Sequence, residues 1–128
     1  MKSMRLPEAE FEIMDMIWDS ELPVTTSMVW EKVGKRRGVK LQSINTLFAR
    51  LEARGFLRVE RNKIRERDFY PIVTRDQYLQ METEHFVRRY HKQSYTSLLN
   101  ALQRDQLTND DLDELAKWVN ETRMNSGR

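Results

Sequence analysis

Ile44, Leu47, Phe48 and Leu51 fall at i, i+3, i+4 and i+7, and Gly55 follows them. This spacing is the tightest constraint in the chain. It writes a helix over about residues 41–54 with one buried stripe and a glycine stop. The opposite face carries Gln42, Asn45, Thr46 and Ala49 at the same spacing, with Ser43 beside them. A solvated helix face favours Glu and Lys, which have good helix propensity. These residues are instead short, neutral and rich in donors and acceptors. Gln and Asn can pair bidentately with an adenine edge, Thr and Ala can touch a thymine methyl, and small size allows close approach to a groove floor. The face is read as a base-reading surface, with Arg50 and Arg54, one and two turns on, placed for phosphates.

The flanking segments fit that reading. Pro7 with Glu8 and Glu10 marks a helix start, and Phe11, Ile13, Met14, Ile17 and Trp18 form its apolar face. Leu22-Pro23-Val24 is a short extended piece. Thr25 or Thr26 caps a second helix to about Arg36, buried through Met28, Val29 and Val33 and broken by Gly38. After Gly55, residues 56–61 alternate as a strand. A charged tip from Asn62 to Arg67 leads to a second strand over 69–73, where Pro71 implies an edge position. Three helices and then a hairpin is the winged helix-turn-helix order. The expected fold is mainly α with a small β-hairpin wing, and residues 1–73 form the DNA-binding domain.

Charge follows the same division. The formal net charge is only +2, yet residues 35–67 hold Lys35, Arg36, Arg37, Lys40, Arg50, Arg54, Arg58, Arg61, Lys63, Arg65 and Arg67 against Glu52, Glu60 and Glu66. Residues 105–121 reverse the balance, with Asp105, Asp110, Asp111, Asp113, Glu114 and Glu121 against Lys117. One half suits a polyanion and the other is kept off it. Lys40 and the wing cations Lys63, Arg65 and Arg67 join the DNA-binding candidates, the wing lying along the backbone or an adjacent minor groove. Ile64 at that tip has no place in such a scheme.

Residues 74–128 are expected to be a helical dimerisation region. Thr74 caps a long helix through roughly residue 94 carrying Leu79, Phe86 and Tyr90, and a shorter helix carries Leu98, Leu99 and Leu102. Thr108 and Asp111 form a capping box that opens a last helix with Leu112, Leu115, Ala116 and Val119 on one stripe. These helices lack the core volume of an independent bundle. Leu79, Phe86, Tyr90, Leu98, Leu102, Leu112, Leu115 and Val119 are therefore assigned to a homodimer interface.

Composition narrows the alternatives. Hydrophobic residues make up 39% and charged residues 33% of the 128, and there is no cysteine, which removes disulfides and thiolate sites. No apolar run approaches the ~18 residues of a membrane span, and no signal segment follows Met1, so a cytoplasmic location without membrane insertion is expected. The two histidines, His85 and His91, lie about 120° apart around one helix and do not make an i, i+4 metal pair. No metal, cofactor or catalytic set is expected, and the chain is not read as an enzyme.

The run Leu6-Pro-Glu-Ala-Glu-Phe-Glu-Ile-Met-Asp-Met-Ile-Trp18 resembles the opening of the penicillinase-repressor family, the BlaI/MecI type. Ser43-Ile-Asn-Thr-Leu-Phe-Ala-Arg-Leu51 with Gly55, Arg67-x-Phe-Tyr-Pro71 and Ser97-Leu-Leu-Asn100 resemble its later segments, and the likeness covers roughly residues 6–122. It implies a homodimeric repressor on a palindromic operator, with Gln42, Ser43, Asn45, Thr46 and Arg50 matching the DNA-contacting helix. Gln42 stands where lysine is usual, so the operator does not transfer. In the family's resistance systems a membrane sensor's signal leads to cleavage after an Asn. Asn100 matches that position, with Ala101 in place of a bulky aromatic residue. The cysteine cluster of the family's copper-responsive branch is absent.

Two other classes fit parts of the sequence. One is a ligand-responsive winged-helix regulator with a pocket near the dimer interface lined by Tyr78, Met81, Tyr90 and Trp118, although such residues at helical spacing are usually core. The other is an interaction module whose basic patch meets an acidic partner. A steep fall of affinity with salt separates a DNA binder from the latter.

Overall fold

A computed structural model describes residues 5–126. Helix α1 (Glu8–Trp18) begins after Pro7, with Glu8 and Glu10 in its first turn. Helix α2 covers residues 26–37 and is not uniform: an α turn over Thr26–Val29, a π-helical stretch over Trp30–Gly34, and a final α turn over Lys35–Arg37. Thr25 is its cap, the hydroxyl accepting from the Met28 amide at 3.2 Å. Helix α3 (Leu41–Ala53) follows, burying Ile44, Phe48 and Leu51. Gly55 closes it in the left-handed region at φ 84, while the Phe56 amide donates to the Leu51 carbonyl at 2.9 Å. A side chain would strain that backbone.

Strands β1 (Leu57–Arg61) and β2 (Arg67–Pro71) pair antiparallel, from Arg61 opposite Arg67 to Leu57 opposite Pro71. The second strand thus starts and ends two residues earlier than the expected 69–73. Past Pro71 one more bond follows in the same register, the Ile72 amide donating to the Phe56 carbonyl at 2.8 Å, and the chain bends at Ile72 and Val73. On its other side β2 bridges to Val24, whose amide and carbonyl bond to Phe69 at 3.1 and 2.8 Å. Pro71 lies beyond that bridge, where its missing N–H leaves no gap.

Ile13, Met14, Ile17, Val29, Ile44, Phe48, Leu51, Phe56, Leu57 and Phe69 make one core with Tyr78. The Phe48 and Phe69 rings meet edge to face, centroids 4.7 Å apart, and so anchor α3 to the wing. Helix α4 (Arg75–Tyr90) opens on a reciprocal capping box: the Gln77 amide donates to Thr74 Oγ1 at 3.1 Å, and the Thr74 amide donates to Gln77 Oε1 at 2.9 Å. It is held to α1 by Arg75, whose guanidinium donates to Asp15 and Asp19 at 2.6 and 2.7 Å. The Arg75 hydrogen bond holds the Asp19 carboxyl below the usual carboxylate range.

Compact packing divides the chain between residues 84 and 85, within α4, so the first unit takes in Tyr78 and Met81 as well as residues through 73. In the second unit α4 ends at Tyr90, earlier than the expected 94. Lys92 and Gln93 turn to φ 49 and 66, and Ser94 caps the next helix by accepting from the Ser97 amide at 3.0 Å. Helix α5 spans Tyr95–Ala101, a short 3-10 turn spans Arg104–Gln106, and helix α6 spans Asn109–Ser126. The Thr108–Asp111 capping box forms in both directions at 3.0 Å. Val87 alone is fully buried among the described residues of this unit.

Candidate nucleic-acid interface

Helix α3 presents the expected outer face. Gln42, Ser43, Thr46 and Ala49 are exposed, and Asn45 is half-buried at the edge of the same strip. Burial of Ile44, Phe48 and Leu51 fixes this rotation, because turning the helix by one residue would pull an aromatic ring out of the core. The Thr46 hydroxyl donates to the Gln42 carbonyl at 3.1 Å. That bond commits its proton and leaves its methyl group and oxygen lone pairs for a groove.

The cations divide into two sets. Lys35 pairs with Glu31 at 3.0 Å, while Arg36 and Arg37 reach Glu12 on α1 at 3.7 and 3.3 Å. Arg58 pairs with Glu60 and lies over the Tyr70 ring, 4.1 Å from its centroid. By contrast Lys40, Arg50, Arg61, Lys63, Arg65 and Arg67 are exposed and form no ion pair among the described residues. Their charge is not spent within the fold, and it lies along α3, the residue before it and the wing.

Arg54 falls in the first set, not the second. Its Nε lies 3.4 Å from Oε1 of Glu10, a residue 2% exposed, and its Nη1 donates to the Arg5 carbonyl at 3.2 Å. Besides the phosphate role expected of it, Arg54 has a structural one: it compensates a buried carboxylate on α1. The angular position was a signal, since Arg54 lies about 60° from Leu51 and about 120° from Gln42 around the helix. Glu10 Oε1 has no hydrogen-bond partner among the described residues, so removing the guanidinium strands its charge. Arg54→Ala is expected to lower unfolding free energy by about 2 kcal/mol, and in a Glu10→Gln background by less than half that. Urea unfolding of the four proteins reads this, and equal costs in both backgrounds would disprove the pairing.

Sequence reasoning also missed two supports of the site. The Trp30 indole donates to the Val39 carbonyl at 2.8 Å and lies across Gly34, spanning the turn into α3. Asn62 organises the wing tip through its side chain. Neither contact follows from periodicity.

Tyr78 and Met81, expected at a ligand pocket, are accounted for by packing. Tyr78 is buried among Phe11, Trp18 and Phe56, with ring centroids 5.6, 5.9 and 5.9 Å away, and Met81 packs on the same core. The Tyr78 hydroxyl accepts from the Leu6 amide at 2.9 Å and donates to Glu82 at 2.8 Å. Burial holds its phenol above the usual tyrosine range, the Leu6 amide opposing and Glu82 reinforcing the shift. In the second unit, exposed Trp118 borders an open depression with Leu102, Leu107 and Leu115. His91 Nδ1 lies 2.8 Å from Ser97 Oγ. No helix among the described residues is long and apolar enough to cross a membrane.

Of the residues assigned to dimerisation, Leu79, Phe86, Tyr90, Leu102, Leu112, Leu115 and Val119 are exposed and Leu98 is half-buried. Asn100 and Ala101, at the end of α5, are exposed.

A family model described as "Penicillinase repressor" matches residues 6–121. The chain is 27% identical over 121 residues to the methicillin resistance regulatory protein MecI of Mammaliicoccus sciuri, covering 93% of this chain and 96% of that protein. It is 26% identical over 118 residues to the penicillinase repressor of Bacillus licheniformis, covering 91% of each. The solved structure of Streptococcus pneumoniae FabT in complex with DNA is similar over 91% of this chain and 78% of its own, at a TM-score of 0.46 and 19% identity.

Proposed function

The chain belongs to the penicillinase repressor family, DNA-binding transcriptional repressors, and on that footing we propose that it works as a homodimer on a palindromic operator. Residues 1–73 bind DNA and residues 74–128 dimerise. Each subunit places α3 in a major groove, with half-sites about one helical turn, ~34 Å, apart. Gln42, Ser43, Asn45 and Thr46 read base edges, while Lys40, Arg50, Lys63, Arg65 and Arg67 neutralise phosphates. The observation that carries this reading is the neutral exposed face of α3 beside cations left without ion pairs.

Asn45→Ala tests it, scored against duplexes selected from a randomised library. The variant should bind the preferred duplex about 5- to 100-fold more weakly and relax choice at one base position. Lys63→Ala should weaken all sequences alike. Site preference unchanged in Asn45→Ala would remove this face of α3 from base reading.

Release by proteolysis after Asn100, in response to a membrane sensor, fits the exposure of Asn100 and Ala101. A cut there separates α6, with Leu112, Leu115 and Val119, from the DNA-binding residues. Intact-mass measurement on repressor from induced cells should find the fragment ending at Asn100; intact chains alongside full derepression would exclude this route.

A further inference from the structure

Ile64 is 74% exposed at the apex of the wing, between Lys63 and Arg65. Singly exposed apolar residues are ordinary on a surface, but this one sits on a built apex. Asn62 Oδ1 accepts from the Ile64 and Glu66 amides at 3.0 and 3.1 Å, and its Nδ2 donates to Asp68 at 3.1 Å. The backbone closes the turn from the Arg65 amide to the Asn62 carbonyl at 3.0 Å and from the Asn62 amide to the Glu66 carbonyl at 2.9 Å. Arg65 takes φ 65, a left-handed position that glycine fills at lower cost in such hairpins. The fold orders the backbone that carries Lys63, Ile64 and Arg65, where a tip needed only for its charge could be loose.

We propose that Ile64 is a specificity-determining contact in the minor groove flanking each α3 half-site, where it selects A·T over G·C pairs. This rests on the DNA-binding reading above. Phosphates offer an alkyl group nothing, and the thymine methyls lie in the major groove that α3 fills. The remaining apolar surfaces are the deoxyribose walls of the minor groove and its floor at A·T pairs. Lys63 and Arg65, on either side of Ile64, are placed for the phosphates that border the groove and carry no sequence preference of their own. A G·C pair projects the guanine 2-amino group from that floor, and an alkyl group would cover this donor without accepting from it. Branched apolar side chains are known elements of minor-groove binding.

The test uses the full chain and duplexes selected from a randomised library, rebuilt with flanking A·T, G·C or inosine·C pairs. Inosine keeps the major-groove face of guanine and lacks the 2-amino group. The wild-type protein should bind A·T and inosine·C flanks alike and G·C flanks about five- to tenfold more weakly. Ile64→Ala should bring all three within about twofold and leave the salt dependence unchanged, because no phosphate contact is lost. Lys63→Ala should instead reduce the salt slope by about one. Ile64→Val should keep most of the discrimination, and Asn62→Ala, which loosens the apex with Ile64 in place, should lose it. Equal discrimination in wild type and Ile64→Ala, or none in wild type, overturns the Ile64 contact while steep, sequence-selective binding leaves the DNA reading standing. Failure of the wild-type chain to select any duplex overturns both.

Discussion

Leu115→Lys should convert the protein to a monomer at micromolar concentration and lower its operator affinity at least a hundredfold, with its helix content unchanged. Leu112, Leu115 and Val119 recur on one side of α6, and all three are exposed, as is Trp118 at 63%. Among the described residues the buried core cluster ends at Tyr78, with Met81 packed against it. A stripe of this kind gains by meeting its copy across a twofold axis, where every substitution counts twice. Burying one leucine contributes roughly 1.5–3 kcal/mol. Replacing it with a lysine removes that contribution and adds an ammonium to desolvate, so about 4–6 kcal/mol leaves the dimer. The monomer loses little, because Leu115 is 40% exposed within it already. Sedimentation velocity and DNA titration of both proteins measure this. A wild-type monomer, or a variant that sediments as the dimer, would refute the proposed seam.

Gly34→Ala should destabilise the protein by about 2–4 kcal/mol, even though alanine is the better helix former. A Cβ at Gly34 would lie 2.3 Å from Cδ1 and 3.0 Å from Cγ of Trp30. These atoms belong to the base of a rigid ring, so the ring has to move. Its movement breaks the indole bond to the Val39 carbonyl, adding about 1 kcal/mol to an overpacking cost of about 1–3 kcal/mol. The sign should reverse once the ring is gone. In a Trp30→Leu background, Gly34→Ala should be neutral or stabilising by up to about 1 kcal/mol, its bare propensity gain. Urea unfolding of the four proteins completes the cycle. A cost that persists without Trp30 would place the glycine requirement in the π-helical backbone. Because Val39 and Lys40 lead directly into α3, the single variant should also bind DNA more weakly.

The two faces of α3 were legible in the sequence, as were the Gly55 stop and the hairpin. Each rests on a repeat of like residues or on one backbone requirement, and many small terms agree. The Thr74 cap and the Thr108 box were legible for the same reason, since their partners lie three residues away, although the return bond from Gln77 was not foreseen. The extent of α4 was not, because its end is set by the left-handed turn at Lys92 and Gln93 rather than by any loss of apolar spacing. The bounds of β2 escaped for a similar reason: they depend on which residues lie opposite β1 across the hairpin.

Periodicity determines which side of a helix is buried, because hydrophobic transfer sums over the whole stripe and tolerates error in any one residue. The stripe of Ile44, Leu47, Phe48 and Leu51, the neutral face opposite and the mainly helical order with a wing all follow from it. The fate of one charge does not, because an ion pair depends on a few ångströms between groups far apart in the chain. Arg50 and Arg54 lie one turn apart on the same helix and look equivalent in the sequence. Only the packing of α1 against α3 sets Glu10 beside Arg54 and gives it an internal partner, while Arg50 forms no ion pair among the described residues.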